Sequence, residues 1–220
     1  MATLKGLIFD LDGTLIDNMD FHLKAWHRFF THHQLDTTHY REQIHGTNGE
    51  ILQRIFNKPL TDAEIQELAR EKESLYRDLY QPHIQPIRGL GDFFGEALSA
   101  SISLGLSTMS GQENIKFSLQ HLGFQDHFSA ITGAHEVRNG KPDPEVFNKT
   151  IEDLRLAASE CVIFEDSHTG IVGAKATGAK VVGITSGHTV DELVSWGADL
   201  VIQDYEEISL DKCKELVNHH

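Results

Sequence analysis

Two aspartates spaced two residues apart close an apolar run in the stretch LIFDLDGTLID, which covers residues 7 to 17. Burying either Asp10 or Asp12 unpaired is costly, so the end of such a run must hold a cation or put its acids to chemical use. Three further groups share this character. Thr108 follows the apolar run Ile102–Leu106, Lys141 sits between Gly140 and Pro142, and Glu165 and Asp166 follow another apolar run and precede Ser167 and Gly170. Together these residue types suit phosphoryl transfer. A carboxylate can attack phosphorus and form an aspartyl phosphate. A hard cation, Mg²⁺ foremost, takes carboxylate oxygens and screens nucleophile from phosphate. A lysine and a hydroxyl can hold the equatorial oxygens, where the transition state carries its charge, and N–H groups at the Gly13–Thr14 turn offer a small anion nest. Each piece alone has an ordinary reading: a solvated Asp-x-Asp loop, a strand-end hydroxyl, a surface lysine, a helix cap. Their joint occurrence, each at a strand end or the loop beyond it, favours the chemical one.

The elements that must position these groups are legible as six short apolar runs: Leu4–Phe9, Ile102–Leu106, Phe128–Ile131, Cys161–Phe164, Lys180–Ile184 and Leu200–Ile202. From the second run on, amphipathic segments separate them at βα spacing, which predicts a mostly parallel sheet. Parallel strands present ligands at their carboxyl ends, where the reactive residues fall. Ser110 with Glu113, Thr61 with Glu64, and Thr189 with Glu192 match capping boxes, and Asp143 before Pro144 reads as a cap before a first-turn proline. Between the first two runs no strand is convincing. Phe21–Phe30, Ile51–Phe56 and a segment from Thr61 to about Tyr80 read as helices, and the stretch from Gln81 to Pro86 breaks helix. This predicts an α/β core domain over 1–15 and 88–220 and a helical cap over 16–87, with hinges near Ile16–Asp17 and Gln81–Arg88 that let the cap open and close.

The bulk properties narrow the function classes. The formal net charge is −14, which disfavours nucleic acid and anionic membrane surfaces. No apolar stretch reaches membrane-spanning length, the first residues lack a signal-peptide pattern, and two cysteines imply no disulfide framework. The expectation is a monomeric cytoplasmic protein acting on a small phosphorylated metabolite. Val217–His220 reads as a frayed tail.

The motifs DLDGTL, GKPDPEVF and FEDSHTG resemble those of the haloacid dehalogenase superfamily of phosphotransferases, in the subfamily with a helical cap inserted after the first motif. The resemblance covers essentially the whole chain. It implies a Rossmann-like parallel-sheet core, Asp10 as nucleophile and metal ligand, and Asp12 as general acid/base that ligates the metal through its main-chain carbonyl. It further implies that Thr108 and Lys141 bind the transferred phosphoryl group, that Ser110 is a phosphate-binding residue kept from the set that helps hold a second phosphate, that Asp166 ligates Mg²⁺, and that Glu165 supports or joins that shell. Asp12 argues against dehalogenation, because the superfamily's dehalogenases lack an acid there and use no metal.

Residues 17 to 26, DNMDFHLKAW, resemble the cap entrance of β-phosphoglucomutases. His22 lies on an apolar stripe with Met19, Trp26, Phe29 and Phe30, and Lys72 on one with Ile65, Leu68, Ala69, Tyr76 and Leu79. From pattern alone such a histidine packs and such a lysine reaches out to solvent; the resemblance places both near substrate. Against a mutase, Gly49, in the stretch from Gly46, stands where those enzymes carry an arginine for a distal phosphate. Gly111 and Gln112 replace a lysine and an asparagine, and Arg88 stands where proline is usual, a change expected to touch only the linker. The leading expectation is a Mg²⁺-dependent phosphatase acting on a small phosphorylated metabolite such as a sugar phosphate, or on pyrophosphate. The alternatives are a β-phosphoglucomutase, a non-catalytic phospho-ligand-binding protein, and an enzyme using Lys72 as a Schiff base.

Overall fold

A computed structural model describes residues 3–44 and 47–218. In chain order it has β1 (Gly6–Phe9), α1 (Met19–His32), α2 (Tyr40–Gln43), α3 (Asn48–Phe56), α4 (Asp62–Tyr80), α5 (Leu90–Ser99), β2 (Ser103–Ser107), α6 (Gln112–Leu122) and β3 (Ala130–Thr132). There follow α7 (Glu145–Asp153), β4 (Cys161–Glu165), α8 (His168–Ala176), β5 (Lys180–Ile184), α9 (Val190–Ser195), β6 (Leu200–Ile202) and α10 (Leu210–Asn218). The chain divides into two compact units, Met1–Asp17 with Gln85–His220, and Asn18–Ile84.

In the first unit all six expected strands form one parallel sheet in the order β3-β2-β1-β4-β5-β6. Their ends are displaced from the sequence reading by at most two residues. The strands read as continuous apolar runs because both faces of the sheet are covered. Ile8 and Ile163 point into a cluster with Val146 and Phe147 of α7, Ile171 of α8 and Leu193 of α9. Their neighbours Phe9 and Phe164 point the other way and stack at 4.7 Å, with Phe94 and Tyr205 against Phe9. The chain reverses its winding direction about β1, so β1 and β4 flank the crevice where such sheets hold ligands.

The second unit is helical. Buried Ala25, Trp26, Phe29 and Phe30 recur along α1 at helical spacing, and the three aromatic residues join Ile51, Leu52, Ile55 and Leu60 in one core. The Thr61–Glu64 capping box opens α4 as expected. A second box, Thr47 with Glu50, opens α3 three residues earlier than the apolar pattern showed.

Three local expectations need correction. Ser110 does not cap α6; Gly111 is the cap position and makes no side-chain bond there, while the Ser110 hydroxyl turns to Asp12. The helix expected from Pro144 starts at Glu145, with Asp143 Oδ1 accepting the Glu145 N–H at 3.0 Å. Val217 and Asn218 close α10 rather than fraying, with Val217 buried. Gly46, His219 and His220 lie outside the described residues. Arg88 does more than join segments. Its Nε and Nη2 donate to the Oδ2 of buried Asp204 at 2.9 and 2.6 Å, and its carbonyl accepts the Tyr205 N–H at 2.9 Å. It ties the returning chain to the segment after β6.

Candidate active site

The carboxyl ends of β1, β2 and β4 bring six of the sequence candidates, Asp10, Asp12, Thr108, Ser110, Glu165 and Asp166, together with Lys141. Asp10 leaves β1 with its N–H bonded to Phe164 O at 3.0 Å, which fixes it beside β4. Lys141 Nζ donates to Asp10 Oδ1 at 2.6 Å, to Glu165 Oε1 at 2.7 Å and to the carbonyl of Ser107 at 3.2 Å. A lysine 131 positions away in sequence thus locks the ends of three strands. Glu165 has both oxygens committed. Oε1 takes Lys141, and Oε2 accepts from the N–H groups of Asp166 and Ser167 at 2.8 Å and from the Ser167 hydroxyl at 3.0 Å. Gly170 makes room for it, since a Cβ there would overlap the Glu165 carboxylate.

Asp166 is buried and accepts from Thr14 Oγ1 at 3.2 Å. Gly13 lies against it at φ 76°, where a side chain would collide with its carboxylate. Glycine is required there twice over, for the left-handed backbone and for the space. Asp12 is partly exposed and takes the Ser110 hydroxyl on Oδ2. Thr108 is buried, with its N–H on Thr132 O and its Oγ1 accepting from Ser110 N–H, both at 3.0 Å. The anion nest expected at Gly13–Thr14 is not formed. Those N–H groups bond to the carbonyls of Ile16 and Leu11, at 2.8 and 3.3 Å.

The electrostatics follow from this crowding. Burial, together with the charges of Glu165 and Asp12, pushes Asp10 up to about 7 despite the opposing pull of Lys141. Burial, then Glu165 and Asp10, raise Asp166 well above the ordinary carboxylate value. Burial alone would lower Lys141, but Asp10 and Glu165 reverse this and hold it above the usual lysine range. Buried carboxyl groups that oppose one another's ionisation, with oxygen-only donors beside a glycine cradle, suit a hard divalent cation.

A pH test follows. Without a cation, Asp10 ionises near 7 in the folded chain but near its ordinary 3.8 when unfolded. Over that window the folded state holds more protons, so stability falls as pH rises, and the loss is complete above about pH 7. Asp166 acts in the same direction. EDTA-treated protein should melt several degrees lower at about pH 8 than at about pH 5.5, on the order expected for a chain this size. Asp10→Asn should flatten that difference. Equal slopes in the two proteins would contradict the assignment.

Sequence reasoning passed over a second layer. Ser107 Oγ donates to Thr150 Oγ1 at 2.7 Å, and Thr150 donates to Thr132 Oγ1 at 2.8 Å, all three buried. Tyr205 is buried and donates to the carbonyl of Thr14 at 3.0 Å. Hydroxyl residues inside apolar runs were the available signal.

In the helical unit His22 and Lys72 meet each other, with Lys72 Nζ 3.2 Å from His22 Nδ1. Contrary to the snorkelling expectation, Lys72 is 2% exposed. Its ammonium donates to Glu73 Oε1 at 2.6 Å and lies 5.2 Å from the centre of the Trp26 ring. His22 stacks on Tyr76 at 3.8 Å. Burial would raise Glu73, but Lys72 and His22 hold it below the usual carboxylate range. Asn48, at the start of α3, also donates to Glu73 at 2.8 Å. His168 starts α8 and packs its ring against Trp196 at 5.1 Å, and His135 is exposed beside Glu136. Cys161 and Cys213 are buried, and burial pushes both thiols up to about 12, out of reach of nucleophilic use. Among the described residues no helix is long and apolar enough to cross a membrane.

A family model described as haloacid dehalogenase-like hydrolase matches residues 7–184. The β-phosphoglucomutase of Bacillus subtilis is 29% identical over 96% of this chain and 95% of its own. Fructose-1-phosphate phosphatase YqaB of Escherichia coli is 30% identical over 81% of this chain and 95% of its own. Among solved structures, the HAD hydrolase of family IA, variant 3, from Entamoeba histolytica superposes with a TM-score of 0.90. It is 28% identical and covers 98% of this chain and 100% of its own.

Proposed function

The chain belongs to the haloacid dehalogenase-like hydrolase family, and from that premise we propose that it is a Mg²⁺-dependent phosphatase. Its substrate is a small phosphorylated metabolite such as a sugar phosphate, or pyrophosphate, and the phosphoryl group passes to Asp10 and then to water. The observation that carries this reading is the Lys141 bridge to Asp10 and Glu165 beside Asp12, whose carboxylate Ser110 holds. Mg²⁺ would be held by Asp10, Asp166 and the Asp12 carbonyl, and when bound it screens the nucleophile from the phosphate charge. Glu165 supports that shell through Lys141 and the Ser167 turn, since both its oxygens already serve protein donors.

Asp10 attacks phosphorus while Lys141 holds its carboxylate in place. Lys141 and Thr108 bind the transferred oxygens, while Ser110 holds the Asp12 carboxylate. Asp12 gives a proton to the leaving oxygen and then takes one from the water that releases the phosphoryl group.

The second reading, a β-phosphoglucomutase, is favoured by the joined His22–Lys72 pair and by the B. subtilis relative. A mutase must rebind a bisphosphate in the opposite sense, and that needs a strong distal phosphate site. Gly49 and Gly111 stand where an arginine and a lysine are expected, and Gln112 keeps a neutral amide in place of an asparagine. Each missing charge-assisted bond is worth roughly 1.5–3 kcal/mol, or about tenfold and more in affinity. A phosphate-release screen over phosphorylated metabolites with Mg²⁺, run beside a coupled assay for glucose 6-phosphate, tests the choice. Phosphate release should outpace conversion of β-glucose 1-phosphate. Efficient conversion with little phosphate released, given catalytic bisphosphate, would favour the mutase.

A further inference from the structure

The chain has 14 histidines, and two of them make a second cluster in the helical unit. His32 is the last residue of α1 and His33 caps it, with its N–H bonded to Phe29 O at 3.0 Å. Gln34 then takes a left-handed φ of 54°, which turns the backbone away and leaves both rings at the helix end. Their centroids lie 5.1 Å apart with planes at 89°. Glu71 of α4 faces them. His33 Nε2 lies 3.1 and 3.0 Å from the two Glu71 oxygens, and His32 Nε2 lies 3.9 Å from Oε1. One donor atom from each residue falls within 4.8 Å of the others.

The ordinary reading is one His33–Glu71 hydrogen bond with an exposed histidine nearby. Three observations favour more. The His33 ring is held by Phe29 at 4.3 Å and Phe56 at 5.5 Å, so its Nε2 is aimed rather than free to rotate. Both imidazoles present Nε2 to one carboxylate from adjacent residues. A cavity of about 210 Å³ opens beside His33; Glu64, Glu67 and Lys58 line it with apolar Phe56, Leu60 and Leu68, and the two carboxylates outnumber the one ammonium, which leaves water access to the His33 ring. Donors on a tetrahedral zinc at about 2.0–2.2 Å stand about 3.3–3.6 Å apart; the Glu71 contacts at 3.0 and 3.9 Å bracket that spacing, and the full set, spread within 4.8 Å, closes to it by rotation of the exposed His32 ring.

We propose that His32, His33 and Glu71 form a binding site for a borderline divalent transition metal, with Zn²⁺ as the ion it fits best. Two imidazoles and one carboxylate leave the fourth position to water, and nitrogen donors select Zn²⁺, Co²⁺ or Ni²⁺ over Mg²⁺. A bound ion joins the end of α1 to the middle of α4 and stiffens the helical unit.

The test is calorimetric titration of the full chain with ZnCl₂ in excess Mg²⁺, which occupies the catalytic carboxylates. His33 supports packing, so the variants are His32→Gln, at an exposed position, and Glu71→Gln, with His219→Ser as a control for the chain end. One zinc equivalent is expected. Losing even an outer partner of a ligand weakens metal sites by roughly 10–100-fold, so His32→Gln and Glu71→Gln should each weaken binding at least about tenfold, while His219→Ser leaves it unchanged. Zinc should also raise the melting temperature of the wild type more than that of either variant. Unchanged zinc affinity in both variants, or no zinc binding beyond that displaced by Mg²⁺, would overturn the proposal.

Discussion

Asp10→Asn is expected to cut phosphate release by roughly 10⁴-fold or more, the scale on which loss of a covalent nucleophile shows elsewhere. It should do so without weakening the fold. Asp10 is buried and its ionisation is opposed by its surroundings, so a neutral isostere removes a cost while Lys141 keeps an acceptor within reach. Asp12 should behave differently. It is partly exposed and its carboxylate is oriented by Ser110, as a proton carrier requires. Asp12→Asn should lose on the order of 10²–10⁴-fold on alkyl phosphates and much less on p-nitrophenyl phosphate, whose leaving group needs little protonation. Steady-state rates on both ester types check this, and identical losses for the two variants on both would contradict the separate roles.

Removal of the cation should be nearly as damaging. Asp10, Glu165 and Asp166 are buried together, with Lys141 as the neighbouring positive charge that meets two of them. A phosphate dianion brought to this site meets further repulsion unless a cation is present. Excess EDTA should therefore abolish turnover, and added Mg²⁺ should restore it. Ca²⁺ should bind but support little activity, because its larger and looser coordination misplaces the attacking oxygen. Full activity in EDTA would contradict the metal-dependent account.

The sheet was readable because its inner strands are buried on both faces and so appear as mostly apolar runs. The site was readable because its residues stand where those runs stop. What escaped was tertiary. Nothing in the sequence around Ser110 distinguishes a helix cap from a partner of Asp12, since serine serves both, and the choice depends on a residue 98 positions away. Lys72 looked like a snorkelling lysine because its spacing is that of an apolar stripe. It is buried because Glu73, the next residue, turns its carboxylate onto the ammonium, and His22 and Trp26 complete the pocket. Arg88 looked like a linker residue because its partner Asp204 lies 116 positions on. The Gly13 turn was visible as a turn, but whether its N–H groups face a ligand or their own carbonyls depends on the path of Leu11–Ile16.

The central claim is that Asp10 carries the phosphoryl group. Rapid mixing of the Mg²⁺-loaded protein with a turned-over phosphate ester, followed by acid quench and peptide mapping, tests it directly. A phosphoryl group on the peptide containing Asp10, released by hydroxylamine and missing from Asp10→Asn, is the expected result. Turnover with no acyl phosphate at any quench time, or the phosphoryl group on another residue, would contradict it.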